Sequence, residues 1–446
     1  LKLKLLLVWD GLNLKFASQL LPFVAVFVMG GSCAKRSKVS PADDLKLAHL
    51  PFDFYGGFCP FVYSCVHPKF SKWEEATISK YHAAWVKQGS PHGVQENDHN
   101  FDTALGQGNT LGFVAGRLHL FPEIREHLKH GLFERAGDVI PAIVRFSDLG
   151  SDVSTQKLAR MAVKLPLATA WGGEVNLLLT ESMETFPSAN YDHLSAFVGV
   201  PNRRCRSMCS MMCSFLWVFC CQHFGKFVRG KAFKDEVLAK TFYSQLPYML
   251  GDSQAMKFSF HPQQETGSAG LPACHKPTKT EAVGWAKERG RCIAKYLSEN
   301  DAVFELRLKV KDLSKHQKLV EKKANVQWRE KSIAVGTLTL PRQACTENGV
   351  SVQLQTSLSK LLDLHPDDVH KAFAFHIVHT HEENRPTGEI QAFRADFYYR
   401  HAVERFATIH QKSVRTLQEG KFAATAKRVP FDDLQAAGVF GAEVES

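Results

Sequence analysis

The sequence predicts an α+β fold in which helices surround an antiparallel β-sheet or barrel. From Thr110 onward, short apolar segments of strand length follow one another with few helical segments between them, which is typical of antiparallel strands. The sequence has no strand–helix alternation of the nucleotide-binding type, no P-loop and no GxGxxG motif after a strand. Its 44% hydrophobic and 22% charged residues, with 32 Phe, agree with a globular protein that has a large aromatic core.

Strands and helices are predicted from the pattern of apolar residues. Six segments have strand character: residues 111–121, 140–146, 161–165, 175–179, 303–310 and 333–340. In the segment 303–310 apolar and polar residues alternate, as they do in a strand that is buried on one face. Residues 122–130 predict a short helix, because Pro122 stands at its start and Gly131 follows its end. Residues 399–414 predict a further helix.

Changes in composition divide the chain into four parts. These are an extension (1–45), an irregular arm (46–100), a main domain (101–415) and a C-terminal tail (416–446). Residues 20–29 form an apolar run of signal-peptide length, followed by small residues. A targeting segment over residues 16–34 and a plain extension both fit this run.

The main domain contains an unusually apolar stretch at residues 208–224, with basic residues on both sides. This stretch is short for a transmembrane helix. The insertion 203–231 is therefore a packed helix or a helix that lies in a membrane interface with its cations on lipid headgroups. The net charge of +10 is not accompanied by a nucleic-acid-binding motif, which argues against a nucleic-acid partner.

The strongest chemical signal lies near the C-terminus, where Arg394 and Tyr398 have the spacing R-x-x-x-Y and Arg405 follows. Positions i and i+4 share one face of a helix, so the guanidinium of Arg394 can hold the Tyr398 phenol as a phenolate. A neutral phenol, with a pKa of about 10, is a poor iron ligand, whereas a phenolate is one of the axial ligands that proteins provide to haem.

Further motifs occur in the order in which catalase-like haem proteins carry them. They are residues 130–133 (HGLF), 141–147 (PAIVRFS), 161–164 (MAVK), 242–248 (FYSQLPY) and 383–388 (ENRPTG), followed by Arg394, Tyr398 and Arg405. Over roughly residues 95–412 the chain thus resembles the catalase-like haem proteins, and more closely their divergent branch that includes the hydroperoxide-cleaving allene oxide synthases. The resemblance implies a β-barrel surrounded by helices and haem b as the cofactor.

The same resemblance implies a role for individual residues. Tyr398 would bind the haem iron, Arg394 would support its phenolate, and Arg145 and Arg405 would contact the haem propionates. The distal side departs from the family pattern: Asp102, beside Thr103, stands where the family has its essential His. Thr180 stands at the distal Asn position, with an uncertainty of one residue towards Glu181.

These departures bear on activity. A catalase needs the distal imidazole to move a proton between the two peroxide oxygens, and an Asp of ordinary pKa is ionised and cannot donate that proton. Three functions stay open: a haem enzyme that acts on organic or lipid hydroperoxides as an oxidoreductase, lyase or isomerase, a weak catalase or peroxidase, and an inactive haem-binding protein. High-rate catalase activity is not expected.

A metal site is the competing interpretation of one segment. His376, His379 and His381 form H-x-x-H-x-H, followed by two Glu residues. On a strand, however, His379 and His381 share a face while His376 points to the opposite side. The segment also directly precedes the ENRPTG motif, so we expect a structural role for it.

Overall fold

The computed structural model describes residues 110–148, 159–167, 174–181, 184–186, 237–263, 285–362, 365–372, 375, 377, 379–388, 390, 391 and 394. The predicted extension, arm, insertion 203–231 and C-terminal tail lie outside these residues, as does the predicted helix 399–414.

Strands make up most of the described part of the chain. They are β1 (Thr110–Leu120), β2 (Val139–Asp148), β3 (Ala159–Pro166), β4 (Glu174–Glu181), β5 (Phe242–Tyr243), β6 (Tyr248–Leu250), β7 (Gln254–Pro262), β8 (Ala302–Asp312) and β9 (Ile333–Leu340). The described helices are α1 (Trp285–Glu299), α2 (Leu313–Lys322), α3 (Val352–Leu362) and α4 (Pro366–Ala372). Single 3-10 turns occur at Glu126–Leu128, Gly131–Glu134, Val237–Ala239 and Glu382–Asn384.

The strands form a closed antiparallel barrel. The hydrogen-bonded order is β5-β4-β3-β2-β1-β9-β8-β7-β6, and β5 also pairs with β7. Because β5 therefore joins β4 on one side and β7 on the other, eight strands close the ring, and β6 extends it along β7. The α+β barrel that the sequence predicts is confirmed, and each of the six predicted strand segments falls on an observed strand.

The barrel interior is filled by apolar side chains that alternate along each strand. Phe146, Phe242 and Phe304 are fully buried there, with ring centroids 5.9 Å apart for the first pair and 6.3 Å apart for the second. Alternation along a strand sends every second side chain to the opposite face. The neighbours of these core residues therefore lie on the outside of the barrel.

The predicted helix at residues 122–130 is wrong. Only Glu126–Leu128 forms a single 3-10 turn, and Arg125 before it is extended. The backbone on either side is bound to the barrel: Phe121 N–H donates to Val335 at 2.9 Å, and Gly131 has a positive φ of 61°. The helical start and stop signals are present, but these tertiary contacts leave no room for an α-helix between them.

The helices pack around the barrel. Helix α1 lies on β1, where Ile293 Cδ1 would be 3.2 Å from a Cβ added to Gly112. Helix α2 begins at Asp312, whose carboxylate accepts a hydrogen bond from Ser314 N–H at 2.9 Å, as a helix N-cap does. Its Val320 packs with buried Trp328 and Ala255. In the described part of the chain, no helix is long and apolar enough to cross a membrane.

Candidate functional site

Polar side chains on the outside of β2, β3 and β4 are buried although they face away from the barrel core. Arg145 is only 4% exposed, and the register places it beside Phe113 of β1 and Ala162 of β3. Leu178 of β4 pairs in turn with Ala162. We call the outward side of these three strands the outer face. Its burial means that other parts of the chain cover it.

Two predicted site residues lie on the outer face. The guanidinium of Arg145 donates to Thr110 Oγ1 at 3.0 Å, and Ser147 lies two residues further on the same side of β2. Thr180 pairs with Arg160, which pairs with Ser147, so Thr180 shares this face with Arg145 two strands away. Two strand spacings of about 4.8 Å and an offset of two residues along the strand separate the Arg145 and Thr180 backbones by about 12 Å.

Glu181, the other candidate for the distal Asn position, points into the barrel instead. Its carboxylate is fully buried, and one oxygen lies 3.8 Å from Lys240 Nζ. Burial raises the pKa of Glu181 above its ordinary value, although the charges of Lys240 and Arg289 oppose the shift. Of the two candidates, Thr180 is therefore the residue on the outer face, and its distal role stays a prediction.

A buried polar cluster holds the chain before Arg394 against the outer face. Glu174 accepts hydrogen bonds from Lys164 of β3 and from Asn176 Nδ2 at 2.9 Å, and His379 Nδ1 lies 2.5 Å from the same carboxylate oxygen. Asn176 N–H also donates to the carbonyl of His379 at 2.7 Å. Lys164 Nζ lies 5.4 Å from the centroid of the Phe375 ring. The segment around His379 is thus fixed to β3 and β4 by both side chains and backbone.

The charges of this cluster compensate one another. Burial alone would raise the pKa of Glu174, but the charges of Lys164 and His379 and their hydrogen bonds hold it below its ordinary value. Burial lowers the pKa of Lys164, and the carboxylate of Glu174 opposes that shift. The Glu174 carboxylate and the Lys164 ammonium are thus a buried pair, and either group left without the other would be costly.

Two of the family-like motifs bind each other directly. Gly131 N–H donates to a Glu383 carboxylate oxygen at 2.7 Å, and Leu132 N–H donates to Asn384 Oδ1 at 2.7 Å. Asn384 Nδ2 in turn donates to the carbonyl of His130 at 3.1 Å. A side chain at Gly131 has no room, because its Cβ would lie 2.4 Å from Asn384 Oδ1. The HGLF and ENRPTG motifs are therefore the two halves of one contact.

The FYSQLPY motif (242–248) and the residue after it extend this contact towards Arg394. Met249 N–H donates to Arg385 O at 2.8 Å, and Thr387 N–H donates to Pro247 O at 3.2 Å. The buried Gln391 side chain also donates to Pro247 O at 3.2 Å, while its Oε1 accepts a hydrogen bond from Arg394 at 3.1 Å. Arg394 is thereby connected to the barrel through Gln391.

The remaining predicted site residues, Asp102, Thr103, Tyr398 and Arg405, lie outside the described residues. The alternative metal site depends in part on His376, which also lies outside them. His379 directs Nδ1 to Glu174, and the described residues contain no group of three or more His, Cys, Asp or Glu side chains that would hold a metal ion. Within that part of the chain, His379 has a structural partner.

Comparison with known proteins gives a likeness at the level of fold. No protein-family model and no curated protein matches the chain. Among solved structures, a fungal catalase is 12% identical with a TM-score of 0.47, over 71% of this chain and 61% of that one. Catalase A from Saccharomyces cerevisiae is 12% identical with a TM-score of 0.47, over 69% and 64%. A bacterial catalase is 14% identical with a TM-score of 0.47, over 70% and 58%.

The chain thus spans about three fifths of the length of these catalases. The likeness is one of fold.

Sequence reasoning missed two residues that hold the site together, Glu174 and Gln391. Glu174 begins a strand that is apolar from Val175 to Leu179 except for Asn176, and both polar residues of this strand end are buried. A charged residue at the edge of an apolar run is the signal that would have found it, since such residues are buried only when paired. Gln391 carries no comparable signal.

Proposed function

We propose that this chain binds haem b on the outer face and uses it to cleave organic or lipid hydroperoxides. One observation carries the cofactor part: Arg145 is a buried cation on the outside of the barrel, with the apolar Phe113, Ile143 and Leu178 around it. A flat macrocycle with two carboxylates fits a surface that combines apolar side chains with a guanidinium. The residues present are therefore compatible with the cofactor.

Four residues would hold the cofactor. Tyr398 would ligate the iron as a phenolate, with Arg394 one helical turn away to stabilise the negative charge. Arg145 and Arg405 would contact the propionates. The bonds from Arg394 to Gln391 and from Gln391 to Pro247 support this role, because they restrict where the Arg394 guanidinium can lie.

The proposed substrate class, organic or lipid hydroperoxides, depends on the residues proposed for the distal side of the haem. Bound haem would supply a ferric iron that can break the O–O bond of a peroxide. Thr180 presents a hydroxyl rather than a group that titrates near neutral pH, and Asp102 is a carboxylate in the position of an imidazole. Homolytic cleavage of an organic hydroperoxide depends less on a proton shuttle than hydrogen peroxide disproportionation does, so we favour the former substrate class.

Absorption spectroscopy of the full chain tests both parts. Purified protein titrated with haemin is expected to give a Soret band and a Tyr-ligated spectrum, and Tyr398→Phe is expected to lose the phenolate features. Reconstituted protein is then given a fatty-acid hydroperoxide or hydrogen peroxide, and we expect faster consumption of the former. No saturable haemin binding would refute the cofactor part; haem binding without turnover of either peroxide would identify an inactive haem protein.

A further inference from the structure

Basic residues are concentrated on one side of the barrel, around helix α2. Between Lys309 and Lys331 there are eight Lys or Arg and three acidic residues, which gives +5 of the chain's net charge of +10 within 23 residues. A cluster of this density around a single amphipathic helix is typical of a surface that binds an anionic partner.

The cations around α2 divide into an inner and an outer set. In the inner set, Lys309 binds Glu184 at 2.5 Å and Lys311 binds Glu330. Each inner lysine is therefore paired with a glutamate. The outer set consists of exposed cations: Lys315, Lys318, Lys322, Lys323, Arg329 and Lys331. We call this outer set the cationic surface.

The geometry of α2 directs its lysines away from the barrel. Lys315, Lys318 and Lys322 have spacings of three and four residues, so they form one stripe on the helix. Val320, on the opposite side, is buried against Trp328. The apolar side of the helix is thus used in packing, and the lysine stripe faces solvent.

We propose that the cationic surface docks the protein on a membrane that contains anionic lipid. Several Lys and Arg residues on an amphipathic helix match the phosphate and carboxylate charges of such a bilayer, with no need for a defined binding pocket. A single-stranded nucleic acid would need exposed aromatic side chains for its bases, and Trp328, the aromatic residue of this region, is 2% exposed. The observations therefore favour a lipid surface.

This surface is separate from the outer face. Helix α2 packs on β7 and β8, and β8 stands four strands from β3 in both directions around the ring. The cationic surface therefore lies on the side of the barrel opposite β3. The proposal does not depend on haem, and changes on α2 are expected to leave haem absorbance unaffected.

A vesicle-binding experiment with matched variants tests the proposal. Full-length protein is mixed with phosphatidylcholine vesicles that contain either no phosphatidylserine or about one third of it, and bound protein is measured by co-sedimentation. Lys315→Gln/Lys318→Gln removes two charges from the cationic surface, and Lys295→Gln/Lys360→Gln removes two exposed lysines on α1 and α3 as the control. Glutamine is a good helix former, and thermal unfolding verifies that both variants remain folded.

We expect binding only to the anionic vesicles, with a strong decrease at high salt. Because one basic residue contributes about fivefold in affinity, the α2 variant should bind roughly 25-fold more weakly, and the control should stay within about twofold of wild type. Equal losses in both variants, or no binding to anionic vesicles, would overturn the proposal. Preferential binding of a polynucleotide that the α2 variant loses would assign the surface to nucleic acid instead.

Discussion

His379 and Glu174 are 205 residues apart in the sequence, yet His379 Nδ1 lies 2.5 Å from a carboxylate oxygen of Glu174. Lys164 donates to the same oxygen, so one buried carboxylate joins β3, β4 and the segment that leads to Arg394. Together with the backbone hydrogen bond from Asn176 to His379, this contact holds the segment against the outer face. It also gives the first prediction.

Glu174→Gln should strongly destabilise the protein. The substitution keeps the shape of the side chain but leaves the buried ammonium of Lys164 without its counter-charge and weakens the contact with His379. Breaking a buried ion pair in this way costs about 3–5 kcal/mol of unfolding free energy. Urea unfolding of wild type and variant at neutral pH measures the difference.

Glu305→Gln is the matched control. Glu305 binds Arg307 on the outside of β8, where the Arg307 side chain is 38% exposed. Loss of a pair that water already screens costs about 0–1 kcal/mol. Equal losses in the two variants would mean that burial of the Glu174 cluster contributes nothing to its strength.

A second prediction concerns the pH dependence of stability at Lys257. Its side chain is buried 5.2 Å from the Trp328 ring centroid, and burial lowers its pKa from 10.5 to about 8. Between about pH 8 and pH 10.5 the Lys257 amine is protonated in the unfolded chain and neutral in the folded chain. The contribution of Lys257 to the free energy of unfolding therefore rises with pH. At neutral pH both states are protonated and the full cost of the buried charge is present.

Lys257→Met should therefore stabilise the protein at pH 7. Replacing the buried charge with an apolar side chain of similar length removes a cost on the order of 2–3 kcal/mol. The gain should shrink as the pH rises from about 8 towards 10, because the folded protein then holds Lys257 neutral and no longer bears the cost of a buried charge. Urea unfolding of both proteins at pH 7 and pH 9.5 measures this, and a gain that is independent of pH would contradict the assignment to charge.

The third prediction compares two glycines of the same backbone type. Gly131 and Gly137 have positive φ values of 61° and 89°. An added Cβ at Gly131 would lie 2.4 Å from Asn384 Oδ1, whereas at Gly137 its nearest neighbour would be 3.8 Å away. Alanine at either position carries the backbone strain of about 1 kcal/mol, and at Gly131 it also displaces Asn384.

Gly131→Ala should thus lower the unfolding free energy by at least about 2 kcal/mol more than Gly137→Ala does, since the hydrogen bonds of Asn384 are lost as well. Chemical unfolding of the two variants, measured in parallel, checks this. If both lose the same amount, the contact between the HGLF and ENRPTG segments is not important for stability.

The sequence predicted the barrel well because its strands carry local signals. Alternation in residues 303–310 and the apolar runs of β2, β3 and β4 are decided by neighbours two residues apart. The helix predicted for residues 122–130 does not form, because contacts with Val335 and Asn384, more than 200 residues away, override the local preference. For the candidate site, alternation decides that Thr180 faces outward and Glu181 inward, once the strand is known to begin at Glu174.

The cluster of Lys164, Glu174 and His379 was beyond sequence reasoning for a different reason. His379 belongs to a His-rich segment. In a sequence, closely spaced His residues suggest a metal site rather than a hydrogen bond to a distant carboxylate. Its partner is chosen by the fold, which brings β4 beside the segment before Arg394. Pairings between distant segments leave no periodic signal in a single sequence.

A fourth prediction tests Arg145 as a contact for a haem carboxylate. Arg145→Gln removes a buried guanidinium from the outer face, and a hydrogen bond to a charged group is worth about 1.5–3 kcal/mol. Haemin affinity, measured by absorbance titration, should therefore fall by roughly 10- to 100-fold. Arg117→Gln, on the same side of β1 but paired with β9 and Pro141, is the control and should change affinity little. Equal haemin affinities of wild type and Arg145→Gln would exclude Arg145 from the proposed cofactor site.

The last prediction restores the distal side of the proposed site. Asp102→His with Thr180→Asn introduces an imidazole and an amide at the two positions that the proposed function assigns to the distal side. An imidazole with a pKa of about 6.5 can both accept and return a proton at neutral pH, which the carboxylate of Asp102 cannot do. Hydrogen peroxide turnover by the reconstituted double variant should rise by about 100-fold or more, the usual contribution of a placed acid–base group.

Each single variant separates the two contributions. Asp102→His alone should give most of the gain, and Thr180→Asn alone should give little, because an amide orients a peroxide but does not shuttle its proton. The fatty-acid hydroperoxide serves as the internal control, since homolytic cleavage does not need the proton shuttle and its rate should change much less. A double variant with unaltered hydrogen peroxide turnover and normal haemin binding would mean that Asp102 does not lie over the cofactor, and the proposed distal side would then have to be built from other residues.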